Sequence, residues 1–184
     1  MLNVKRELTV QQSQSQVWSF VRDMGNWARQ MPGYLSHEVA NENDSVWTVQ
    51  FNMGPFTRPC IIDVHVLRWV DPSQVEFSIT GRHDPFQGQG VFNSTAAPDD
   101  GTHVTVDFAM EITGSMAKVI SVMAAPVLTT LADQMVVNMG QALGGPVPPQ
   151  SAPDEPSSNG TTSVADKHSA GGFRLLNKLK KIFR

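Results

Sequence analysis

The sequence predicts an α+β domain: a curved antiparallel sheet wrapped around one long C-terminal helix. Three observations predict it. Apolar and polar residues alternate through a series of stretches between Trp47 and Ile112, each closed by a turn signal. The apolar spacing then changes to three and four residues from Ser115 to Leu143. Two short helical stretches, rather than a full crossover helix, follow the first strand. This is the order of a consecutive meander closed by a packed helix.

Leu2 to Val10 reads as a strand, with Val4, Leu8 and Val10 on one face and Arg6 interrupting it. Ser13 stands three residues before Gln16, a capping-box spacing, ahead of Val17, Trp18, Phe20 and Val21. Asp23 to Met31 gives a second short helix, closed by Pro32-Gly33. Trp47, Val49, Phe51 and Met53 then alternate with polar residues up to Gly54-Pro55. Cys60, Ile62, Val64 and Val66 form one face of the next strand, which turns at Asp71-Pro72-Ser73 into Val75, Phe77 and Ile79. Gly88 to Ala97 is a weaker strand. Asp99-Asp100-Gly101 makes a tight turn into Val104, Val106, Phe108, Met110 and Ile112. The long helix carries Met116, Val119, Ile120, Met123, Val127, Leu131, Met135 and Met139 on one face. Pro126 lies inside it, and a kink is expected there.

The 184 residues divide into three regions. Residues 1–143 form the folded domain. Residues 144–172 hold five prolines and almost no large apolar side chain, so they read as a disordered linker. As a flexible coil its 29 residues span roughly 30 Å. Residues 173–184 form a basic amphipathic helix. Nine basic and all 17 acidic residues precede position 173, giving that part −8, while the tail carries +5. An acidic body does not suit nucleic acid, whereas a short basic tail suits a negative surface.

On a helical wheel, Leu175, Leu176, Leu179, Ile182 and Phe183 share one half, with Phe173 at its edge. Arg174, Asn177, Lys178, Lys181 and Arg184 take the other half, and Lys180 sits near the boundary. That is the pattern of an interfacial helix on an anionic membrane, with docking on a protein partner or on its own domain as the alternative. Each basic side chain contributes about 1 kcal/mol near such a surface. No unbroken run of eighteen apolar residues occurs, so no span is expected. The N-terminus lacks the apolar core of an export signal, and Cys60 is the single cysteine. Both point to the cytoplasm, with the protein peripheral on the inner face of the cell membrane.

Catalytic and metal constellations are poor in the sequence. The five histidines are scattered, and no pair has ligand spacing with a third ligand near. Asp63 and His65 lie on the solvent face of their strand, Cys60 reads as a small buried residue, and His83-Asp84-Pro85 reads as a loop. Gly88-Gln89-Gly90 stops short of a dinucleotide fingerprint. The methionines of the last strand and long helix suit either plain core packing or a variable apolar ligand, and periodicity alone favours packing.

Trp18-Ser19-Phe20-Val21-Arg22-Asp23, then Asn26-Trp27, then Met31-Pro32-Gly33-Tyr34, resembles the opening of the carbon monoxide dehydrogenase G-subunit family. Gly54-Pro55-Phe56 and Gly88-Gln89-Gly90 resemble it too, and the likeness covers about residues 1–143. The linker and tail look like those of long members. This family is placed in the helix-grip superfamily of START lipid-transfer domains and polyketide cyclases. The resemblance implies a helix-grip fold with an apolar cavity between sheet and helix. It turns the reading of the methionines toward a ligand cavity lined by Trp47, Phe51, Met53, Val64, Phe77, Phe92, Met110, Met123, Val127 and Met135. It implies a bacterial, non-enzymatic carrier with no covalent cofactor, binding an isoprenoid quinone (menaquinone or ubiquinone) or another lipid. The implied partner is a molybdenum-dependent carbon monoxide dehydrogenase or another respiratory oxidoreductase. Two alternatives stand beside it: an adaptor that recruits a dehydrogenase to the membrane without a ligand, and a polyketide cyclase-like enzyme.

Overall fold

A computed structural model describes residues 1–53, 56–115 and 117–144, without the side chains of Asn52, Met53 and Phe56. Gly54-Pro55, Met116, the linker from residue 145 onward and the whole tail 173–184 lie outside the described residues.

The chain begins with strand β1 (Leu2–Val10), followed by helices α1 (Gln14–Val21) and α2 (Met24–Gln30). The expected capping box starts α1: Ser13 accepts from the Gln16 amide, and the Gln16 side chain accepts from the Ser13 amide at 3.0 Å. Asp23 caps α2 by accepting from the Gly25 amide at 2.8 Å. Gly33 then takes a φ of 75°, and its carbonyl accepts from the Gln50 amide at 2.7 Å. A side chain there would overlap the Gln50 carbonyl, so glycine is required.

Six more strands follow: β2 (Tyr34–Val39), β3 (Asp44–Met53), β4 (Phe56–Val70), β5 (Gln74–Gly81), β6 (Phe86–Ala96) and β7 (Thr102–Ile112). They form one sheet in the order β1-β7-β6-β5-β4-β3-β2, with every neighbouring pair antiparallel. Strand β2 is an element the sequence pattern does not announce. The turn before β7 places Asp99 and Asp100 at φ 59° and 58°, the backbone of a type I′ hairpin turn. Helix α3 (Ala117–Ala142) closes the domain and runs unbroken through Pro126.

Register places Leu8, Val104, Phe92, Val75, Val66, Val64, Ile62 and Val49 on one inner face, where they are buried. Helices α1 and α2 cover one end of that face with Val17, Trp18, Val21, Met24 and Trp27, and the C-terminal part of α3 adds Met139 and Leu143. Two of the buried indoles have polar partners: Trp27 donates to the Val21 carbonyl at 2.6 Å, and Trp47 donates to the Ser45 hydroxyl at 2.9 Å. We call this the closed end.

Helix α3 is anchored there. Leu8, Met139 and Leu143 are buried, and burial of such a side chain contributes about 1.5–3 kcal/mol. Asn138 donates to the Gln30 carbonyl at 2.8 Å. Arg6, the residue that interrupts the apolar face of β1, meets Asp133 at 2.5 Å. That pair is partly exposed and contributes only about 0–1 kcal/mol, so apolar burial dominates the anchoring.

Toward its N-terminus α3 exposes Val119, Val122 and Met123, with Val122 76% accessible. By length and composition this helix is apolar enough to cross a membrane, which corrects the expectation that no segment qualifies. The polar residues scattered along it broke the run that a simple count requires.

Candidate functional site

The opposite end of the inner face is not closed by α1 and α2. Here the sheet contributes Phe51 from β3, Phe77 and Ile79 from β5, Phe86 from β6, and Phe108, Met110 and Ile112 from β7. All are half-buried although register turns them inward. Gly88 and Gly90 occupy inward positions of β6 and are buried. A Cβ at Gly88 would lie 2.6 Å from the Phe108 ring, and one at Gly90 would run into the Phe77 ring. The two glycines therefore let these rings lie low over the sheet. Phe77 and Phe108 are stacked, 6.3 Å apart with planes 13° off parallel. Trp27 meets Phe77 edge-on at 5.5 Å and joins this aromatic floor to the closed core.

The ten residues expected to line a cavity divide among several places. Trp47, Val64 and Phe92 are buried in the closed core. Phe51, Phe77 and Met135 are half-buried against it. Met110 and Val127 are half-buried, and Met123 is 46% exposed on α3. The side chain of Met53 lies outside the described residues.

A polar cluster at the open end has no counterpart among the sequence expectations. Arg58 and Cys60 project from β4 with inward parity, opposite Phe51 and Val49 of β3. The chain after β5 folds back over Gly81, whose missing Cβ would lie 2.9 Å from that of Asp84. Asp84 thus reaches inward, its side chain 7% exposed. One carboxylate oxygen pairs with Arg58, and the other accepts from the Cys60 thiol at 3.0 Å. Burial pushes the Cys60 thiol up to about 11, with Arg58 pulling weakly the other way. At neutral pH the thiol is protonated, so it is a hydrogen-bond donor rather than a nucleophile.

Other ionisable groups are dispersed. Asp63 pairs with Arg82 and His65 with Asp44, on the outer face as expected. The His65 hydrogen bond, helped by Asn41, holds the Asp44 carboxyl below its usual range. His37 bonds to Tyr34 and His103 to Thr9. Among the described residues no three His, Cys, Asp or Glu side chains gather as a metal site. A shallow hollow of about 530 Å³ lies between Lys5, Leu67, Glu76, Gln89 and Asp107. Parity puts those residues on the outer face, away from the inner one.

A curved antiparallel sheet with a long closing helix is shared with known proteins. The family model described as polyketide cyclase/dehydrase and lipid transport matches residues 1–144. The chain belongs to that family. The fold is the START-like helix-grip fold. A conserved protein from Geobacillus kaustophilus superposes with a TM-score of 0.68 at 19% identity, covering 78% of this chain and 95% of that one. A START superfamily protein from Mycobacterium smegmatis gives 0.57 at 16% identity, covering 76% and 98%. The Zhui aromatase/cyclase from Streptomyces sp. R1128 gives 0.57 at 13% identity, covering 77% and 93%. No curated protein matches the sequence. The family embraces both lipid transport and cyclase chemistry, so the site must decide between them.

Proposed function

We propose that the domain binds a long apolar ligand between the open end of its sheet and α3, and carries it between a membrane and a cytoplasmic oxidoreductase. The observation that carries this reading is the half-buried state of Phe51, Phe77, Ile79, Phe86, Met110 and Ile112, which face inward yet are not closed over. Side chains of this kind, with few polar groups among them, are the usual lining of a pocket for an apolar molecule. The motifs that resemble the carbon monoxide dehydrogenase G-subunit family support an isoprenoid quinone as that molecule and a molybdenum-dependent dehydrogenase as the partner. The exposed apolar residues Val119, Val122 and Met123 beside the opening, together with the basic tail, support delivery at a membrane surface. A tether raises the local concentration of the carrier near its source without any new contact in the domain.

The test is extraction. The protein is mixed with vesicles containing menaquinone, separated from them, and its bound quinone measured. Recovery of about one quinone per chain is expected for a single pocket. A protein that emerges from the vesicles without quinone overturns the reading.

A second reading has one observation in its favour. Arg58 and Asp84 place an ionisable pair inside the opening, which a cyclase-like enzyme would need. Against it, both oxygens of Asp84 are engaged and the neighbouring thiol is protonated.

A further inference from the structure

We propose that Phe77 and Phe108 make the pocket selective for a ligand that carries a flat, fused ring, which lies across both phenyl faces and is stopped by Trp27. This assignment rests on the carrier reading above and adds to it a ligand class and the residues that select it.

Both rings lie flat on the sheet. Phe77, Gly90 and Phe108 form one row across β5, β6 and β7. A Cβ on Gly90 would stand 2.3 Å from Cζ of Phe77 and 2.8 Å from each of its Cε atoms. A point so close to all three atoms lies against the face of the ring, not beyond its rim. At Gly88 the Cβ would meet Cζ of Phe108 at 2.6 Å and its Cε2 at 3.0 Å, again against the face. Each ring thus turns one face down onto a glycine and the other away from the sheet. A side chain at either glycine would lift the ring above it.

The two phenyl faces make one floor. Their planes are 13° from parallel and their centroids 6.3 Å apart. A ring laid over the seam sits roughly 3 Å to the side of each centroid, half of that separation. At a height of about 3.5 Å, an ordinary carbon–carbon contact, its centroid is then about 4.7 Å from each phenyl, within the range of offset stacking. A puckered saturated ring cannot bring all its atoms this close to both faces. Both side chains are only half-buried, so the core does not cover them fully. Trp27 closes one side: its indole stands at 66° to the Phe77 plane with centroids 5.5 Å apart, and is fixed by its hydrogen bond to the Val21 carbonyl. In the next row, Ile79 and Met110 flank Gly88. That row is aliphatic and suits a chain attached to the ring. The ligand class is therefore a fused bicyclic, aromatic or quinoid, with an aliphatic substituent.

The experiment uses two probes with the same carbon skeleton and the same hydroxyl, naphthylmethanol and its fully hydrogenated decalin analogue. Each is titrated calorimetrically into the full-length protein. The wild type is expected to bind the flat probe more tightly, although the saturated one is more apolar and a plain hydrophobic cavity would favour it. In Phe77→Leu/Phe108→Leu the site stays apolar but loses both rings, and the ratio of the two affinities is expected to fall at least about fivefold, the lower end for two aromatic contacts. Phe108→Leu alone, which leaves the contact between Phe77 and Trp27 in place, is expected to lower the ratio at least about twofold. Circular dichroism confirms folding, and the single variant decides if the double one does not fold. A falling ratio in a folded variant supports the assignment. A wild type that prefers the saturated probe, or a folded variant with an unchanged ratio, overturns the assignment and leaves the carrier reading standing. Failure of both probes to bind the wild type would instead overturn the carrier reading, and the assignment with it.

Discussion

Cys60 shows how a single side chain reports on the whole cluster. Its thiol is raised to about 11 by burial, so its thiolate is scarce at neutral pH. Alkylation by iodoacetamide at pH 8 is expected to be slow in the native protein and fast once urea exposes the thiol. Rapid native labelling would mean that Cys60 is not buried beside Asp84. The sign for stability follows from the same shift. A thiol whose native value lies above its ordinary one contributes stability that is complete below about pH 9 and is lost as pH rises through about 11. Melting temperature should therefore fall over that window, and Cys60→Ala should flatten the fall. Neither Arg58 nor Asp84 was legible as a partner of Cys60 in the sequence. Arg58 is close to Cys60 on the same face of β4, but Asp84 stands far along the chain, and only the β4–β5 register, which pairs Ile62 with Gly81, brings it to them. Gly88 and Gly90 did carry a readable signal. Glycines at alternate positions of a strand mark a close approach, and here the approach is by the rings of Phe108 and Phe77.

The elements were mostly legible because their periods are strong. The capping box at Ser13, the short helix after Asp23, the alternation of β3 to β5 and the turn at Asp99-Asp100 all appear where the residues place them. Strand β2 escaped notice for a physical reason. It lies at the sheet edge, a register shift between Tyr34 and Ser36 breaks its alternation, and four of its six residues are exposed. Nor could helix periodicity show how far each part of α3 is covered. The anchored part offers a direct check at Gly140, where an added methyl would sit 3.4 Å from Leu8. Gly140→Ala should be neutral or stabilising by up to about 1 kcal/mol, since alanine is the better helix former. Gly140→Leu should overpack the contact with β1 and cost about 1–3 kcal/mol. Urea denaturation distinguishes the two. If both variants lose stability equally, α3 does not pack on Leu8 as described.

At the scale of the molecule, a helix-grip domain is followed in the chain by a basic tail. The tail's role is separable from the domain's. Full-length protein should sediment with vesicles containing anionic lipid, and a chain ending at residue 172 should stay largely in solution. High salt should weaken the attachment, because five basic residues provide part of it. Equal sedimentation of both chains would exclude the tail as the anchor. The choice of ligand depends on three-dimensional packing that no periodicity encodes. The residues expected to line one cavity show the limit. Trp47, Val64 and Phe92 share a face and a pattern with Phe51 and Phe77, yet they fall in the closed core, because α1, α2 and the end of α3 cover only one end of the sheet.

The central claim, that the open end holds an apolar ligand, is tested most directly by mass spectrometry of an organic extract of the protein purified without detergent from its own cells. The account predicts a quinone or other apolar lipid at about one molecule per chain, as a single pocket implies, with the amount reduced when Phe77 and Phe108 are both replaced by alanine in a folded protein. An extract free of such a molecule, from a protein that also refuses added menaquinone, would contradict it.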